Sequence, residues 1–153
     1  MRLARPARLH SALARAEMVT WTLLLLGMAL KHGAGLDRAT QIGGGVHGFV
    51  FLAYALVTVL IAIDHRWGVR DLLVGLGSAV LPYATVPFER SAQRRGLVAG
   101  DWRLLHDAAR GPLERLVGWA LRHPVAAGVA AVVALAVVFS GLLVTGPPTR
   151  WFA

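Results

Sequence analysis

Apolar residues in this chain gather into four long runs separated by polar stretches, a pattern that predicts helices crossing a bilayer. The first run covers residues 18–30 and is bracketed by Glu17 and Lys31. It is shorter than the roughly 20 residues a bilayer core asks for. The long Lys31 stem can snorkel to the interface, however, and Glu17 closes the opposite end. The second run, residues 48–63, is entered by His47 and closed by Asp64, His65 and Arg66. The third, residues 72–88, is closed by Glu89 and Arg90. The fourth, residues 124–147, carries no charge. Pro124 suits a first helical turn there, and Gly146, Pro147 and Pro148 end it. Ala126, Ala130 and Ala134 place small residues one helical turn apart along this last run, a spacing that admits a close neighbour and is also ordinary in alanine-rich helices.

Polar and small residues inside the first three runs also recur at helical spacing. Glu17, Thr20, Leu24, Gly27 and Lys31 step by three and four; so do His47, Phe51, Tyr54, Thr58, Ile61 and His65, and again Asp71, Gly75, Ser78, Pro82, Thr85 and Glu89. In lipid such seams turn toward other helices, so they predict a bundle with a polar interior. The competing explanation is that small and hydroxylated residues are the usual packing contacts of membrane helices. The third seam keeps its step from Asp71 to Glu89, about 27 Å at 1.5 Å per residue, which predicts a kinked but continuous span with Pro82 at the kink.

The chain thus divides into a basic cytoplasmic segment (1–15), a three-span membrane domain (16–95), an arginine-rich amphipathic connector (96–123), a fourth transmembrane helix (124–147) and a short tail (148–153). The fold class is an all-α membrane protein. Within the connector, Asp101 is placed to cap one short helix and Pro112 to open another. Such helices either lie in the headgroup layer or pack on the rim of the bundle.

Composition supports this division. Hydrophobic residues make up 56% of the 153, and only 16% are charged, which excludes disorder and a coiled coil. A net charge of +8 would suggest nucleic acid in a soluble protein, but fifteen of the sixteen cations are arginines lying outside the apolar runs, with no base-stacking platform beside them. No cysteine is present, so disulfides, thiolate metal sites and cysteine nucleophiles are excluded. A secretory signal is the competing account of the first run, but Gly27-Met28-Ala29, the small-x-small cleavage option, falls inside the run instead of after it. Four spans with a cytoplasmic start leave about seven cations inside against nine outside. A re-entrant turn at Leu81-Pro82 would make that about thirteen against three.

The segment from Glu17 to Arg95 resembles a bacterial integral-membrane family catalogued as domain of unknown function 3817. The resemblance rests on Glu17 opening the first helix, GMALKHGAG with Lys31 and Gly35, VHGFVFLAY with His47, Gly48 and Tyr54, and LPYATVPFER with Pro82 and Glu89. Ala29 and Met18 stand where the family usually has proline and glycine. The resemblance implies a multi-pass protein of the bacterial plasma membrane and transfers no activity.

With a spanning third segment, Lys31, His47 and Glu89 would end at one membrane face. Together with Tyr54 they are the candidate ligand-binding residues, for an ion, a proton or a lipid headgroup. The plainer alternative is an interhelical Lys31–Glu89 salt bridge, with Glu17 paired to Arg66 or Arg70 at the other face. GxSxG, phosphate-loop and HExxH patterns do not occur, and only His32 and His47 approach metal- or haem-like placement, so no enzyme, cofactor or metal is expected. Two functions remain: a non-catalytic accessory membrane protein that meets a partner or a second copy through the fourth helix, or a small transporter or ligand binder using the polar seam.

Overall fold

The computed structural model describes residues 4–145. The expected helix stop at Gly146 to Pro148 and the 148–153 tail lie outside the described residues. The described chain is helical, with α1 (Pro6–Ala34), α2 (Asp37–Asp64), α3 (Val69–Val80), α4 (Thr85–Arg94), a 3₁₀ turn (Arg103–Leu105), α5 (Pro112–Arg122) and α6 (Pro124–Thr145). Three of these helices, α1, α2 and α6, are long and apolar enough to cross a membrane.

Pro6 opens α1 at a position where its missing N–H costs nothing. At the other end Gly35 adopts φ 68°, and its N–H reaches the Lys31 carbonyl at 3.0 Å, a left-handed cap that glycine takes without strain. The chain reverses within two residues, so α2 returns antiparallel along α1. Lys31 and Asp37 pair across the turn at 3.1 Å, both exposed.

A fourth span is not confirmed, because the third apolar run does not form one helix. α3 ends at Leu81, which is extended (φ −97°, ψ 129°). Pro82 clashes with a helical conformation in the residue before it, so the break falls there instead of appearing as a kink. Tyr83 completes the reversal with a positive φ of 65°, and α4 heads back. Arg95, just past α4, meets Asp71 in the first turn of α3 at 2.7 Å, which places both ends of this hairpin on one side. Gly75, Ser78, Thr85 and Glu89 are nonetheless buried, so the third seam faces inward on two short helices. Leu73, Val74, Val80 and Leu81 remain exposed on the outside of the hairpin.

The connector packs on the end of α2. Val98, Trp102, Leu104, Val117 and Leu121 bury against Ile61, and the Trp102 indole N–H donates to the Ala4 carbonyl at 2.9 Å. A helix capped by Asp101 does not form. Asp101 pairs with Arg5 instead, while the buried Asp64 carboxylate accepts the backbone N–H groups of Arg103 and Leu104, each at 2.9 Å, and fixes the tight turn there. Glu114 gathers Arg66 (3.0 Å), Arg103 (2.8 Å) and the Arg110 N–H (2.7 Å). These donors, the Arg110 N–H first, hold its carboxyl at about 2, well below the usual range. Pro112 does open α5, and one residue, His123, separates α5 from α6.

Candidate functional site in the polar interior

Two glycines set the register that builds the site. A Cβ on Gly27 would lie 2.6 Å from the Ala39 carbonyl oxygen, and one on Gly43 2.9 Å from that of Leu23, so the α1 and α2 backbones touch there. The Thr40 hydroxyl donates to the Gly27 carbonyl at 2.8 Å across the same contact. Continued toward the start of α1, this antiparallel register brings Glu17 and Thr20 against His47.

Glu17 is fully buried, and its Oε2 lies 3.6 Å from Nδ1 of His47. The Thr20 Oγ1 sits 3.3 Å from both atoms and 3.1 Å from the Glu17 carbonyl. A hydroxyl donates one proton and can accept another. When His47 carries its proton on Nδ1, imidazole to hydroxyl to carboxylate is therefore a continuous hydrogen-bonded chain. Glu17 Oε1 has no hydrogen-bond partner among the described residues. The Trp21 ring packs on His47 with centroids 4.4 Å apart, and its N–H donates to the Ala79 carbonyl at 3.2 Å, tying α3 to the site.

A second buried group lies nearer the start of α1. His10 is enclosed by Tyr54, Trp67 and Phe88, with centroids 5.5, 6.2 and 5.9 Å away, and neither ring nitrogen has a hydrogen-bond partner among the described residues. The Tyr54 hydroxyl shares a hydrogen bond with Ser78 at 3.2 Å, and Thr85 donates to the Ala14 carbonyl at 3.1 Å. Glu89 accepts from Ser11 and Gln93.

The four residues singled out in the sequence are therefore not one cluster. Lys31 pairs with Asp37 at the far turn, His47 joins Glu17, Tyr54 lies on Ser78 beside His10, and Glu89 faces Ser11 on α1. The expected meeting of Lys31, His47 and Glu89 is corrected by the hairpin at Leu81-Pro82, which returns Glu89 toward the starting side. Glu17 pairs with neither Arg66 nor Arg70; Arg66 pairs with Glu114. Glu17 and Thr20 were visible as seam residues, but His10 and Ser11 sit in an arginine-rich segment with no apolar run to mark them as interior. Among the described residues, no group of three or more His, Asp or Glu side chains is placed to hold a metal ion.

Long apolar helices around a buried polar core define a helical membrane protein. The chain belongs to the family described as Domain of unknown function (DUF3817), whose profile matches residues 7–94, the α1–α4 unit that holds the site. It is 37% identical over 98 residues to "Putative membrane protein SCO5905" of Streptomyces coelicolor, covering 61% of this chain and 11% of that protein. It is 34% identical over 68 residues to "Uncharacterized membrane protein YdzA" of Bacillus subtilis, covering 44% of this chain and 71% of that protein. The match thus spans about a tenth of the Streptomyces protein's length and most of the Bacillus protein's. No solved structure matches the chain.

Proposed function

We propose that this is a non-catalytic, multi-pass protein of the bacterial plasma membrane whose Glu17–Thr20–His47 chain binds and passes a proton. The observation that carries it is the fully buried Glu17 carboxylate, one oxygen unpartnered, linked through a hydroxyl to an imidazole within two helices apolar enough to span. Ionisable groups are costly in such a setting and mark proton or ion pathways. Liposomes containing the purified protein and a trapped pH dye are expected to dissipate an imposed pH gradient. Glu17→Gln should slow this at least tenfold, and Thr20→Val, which removes only the hydroxyl, should slow it less. Equal rates for wild-type, Glu17→Gln and protein-free vesicles would sink the proposal.

The same proposal includes an orientation. Twelve of the fourteen described Lys and Arg residues lie with the start of α1, the α3–α4 hairpin and the connector, against Lys31 and Arg38 at the other end. The positive-inside rule then places the connector side in the cytoplasm. A cysteine at Ser91 in this cysteine-free chain is expected to react with a membrane-impermeant thiol reagent only after cells are permeabilised. Labelling in intact cells would overturn the orientation.

An accessory role is the second function, favoured by α6. Its Phe139 packs against Gly48 of α2, but no residue of its apolar 18-residue window is fully buried, so most of the described helix surface is left for lipid, a partner helix or a second copy. A stoichiometric partner lost on replacing α6 with an unrelated apolar helix would favour this role.

A further inference from the structure

A groove of about 440 Å³ runs between α1 and α4 on the outside of the bundle. Its lining includes Arg15 from α1 and Arg90 and Glu89 from α4, with Ala14, Met18 and Val86 supplying apolar surface. Elsewhere on this side Arg5, Arg66, Arg95 and Arg103 each meet a carboxylate. Arg8, Arg70, Arg94 and Arg115 do not, nor do the two arginines that line the groove: Arg15 bonds only the Ser11 carbonyl, at 3.2 Å, and Arg90 has no side-chain partner among the described residues. Glu89 uses Oε1 to accept from Ser11 and Gln93, which leaves Oε2 without a donor.

Two guanidinium forks without an anion, one carboxylate oxygen without a donor and an adjoining apolar strip together describe a ligand. Guanidinium groups match phosphate oxygens in pairs, the carboxylate suits a primary ammonium with N–H groups to give, and the strip suits the start of an acyl chain. We propose that this groove binds the headgroup of an aminophospholipid, with phosphate between Arg15 and Arg90 and ammonium on Glu89. Selectivity follows from the second contact. A choline headgroup has no N–H to donate to Glu89, and a glycerol headgroup carries no cation, so both leave the carboxylate unanswered beside the phosphate.

The test titrates the full chain in detergent with dihexanoyl-phosphatidylethanolamine, -phosphatidylcholine and -phosphatidylglycerol, counting bound lipid by native mass spectrometry. The ethanolamine lipid is expected to bind at least tenfold more tightly than the other two. Arg15→Gln with Arg90→Gln should weaken it at least tenfold, and Glu89→Gln should erase the preference while phosphate-driven binding persists. Both arginines are exposed, so the arginine variant keeps the test decisive even where loss of the Ser11 and Gln93 contacts unfolds Glu89→Gln; helical circular dichroism checks each protein. Equal affinity for all three lipids, or an arginine variant that binds like wild type, would overturn the proposal. Water-soluble phosphoethanolamine is expected to fail to displace the lipid at a hundredfold excess. Displacement at equal concentration would overturn the lipid as occupant in favour of a free phosphate ester.

Discussion

Asp64→Ala is expected to free the connector from the end of α2, at a cost of about 3–5 kcal/mol. The Asp64 carboxylate is fully buried and accepts two backbone N–H groups, from Arg103 and Leu104, while the Arg103 guanidinium donates to the Asp64 carbonyl at 2.6 Å. Alanine leaves both N–H groups without their acceptor and removes the carboxylate that lies 3.1 Å from His65 Nδ1. Limited proteolysis in detergent reads this directly, because several arginines lie in the connector: cleavage between residues 95 and 122 should accelerate strongly while the α1–α2 hairpin stays intact. Asp101→Ala is the control, since it removes only an exposed pair with Arg5 and should cost under about 1 kcal/mol. Wild-type resistance in Asp64→Ala would mean that Trp102 and Leu104 hold the connector by packing alone.

Gly43→Leu is expected to abolish the α1–α2 pairing. The first side-chain carbon would sit 2.9 Å from the Leu23 carbonyl oxygen and 3.2 Å from the Leu24 Cα, both backbone atoms that cannot swing aside. The helices must separate or slide, at a cost of about 3 kcal/mol or more, and a slide also parts Thr20 from His47. The thermal melt in detergent should fall sharply and the proton flux with it. Gly33→Ala is the matched control: no atom lies within 4 Å of its added carbon, and alanine stabilises a helix by roughly 0.5–1 kcal/mol relative to glycine. A Gly43→Leu protein that melts like wild type would refute the close contact.

The seams show how far the sequence reached. Period alone indicated which side of each helix turns inward, and Glu17, Thr20, Tyr54, Thr58, Ser78, Thr85 and Glu89 are all buried. It could not show where a helix stops. The helical step from Asp71 to Glu89 persists across Leu81-Pro82 because two short helices, α3 packing on α2 and α4 on α1, preserve the same inward pattern. Proline's effect on its preceding residue was the signal, and it decided the break against a kink. That one break relocated Glu89 and undid the cluster with Lys31. The sequence marks Asp64 as the end of a helix; its second role, holding a turn about 40 residues away, depends on a tertiary contact with no local periodicity.

Reversal at Leu81-Pro82 also bears on how the chain enters the bilayer. On the proposed orientation, the seven arginines from Arg90 to Arg122 never need to be translocated. A continuous third span would carry all of them across, against the positive-inside bias. On that orientation the broken hairpin leaves, among the described residues, Lys31 and Arg38 as the cations to be carried across. With the same orientation, removing the break, for instance with Pro82→Ala, would set helix continuity against the transport of this basic load.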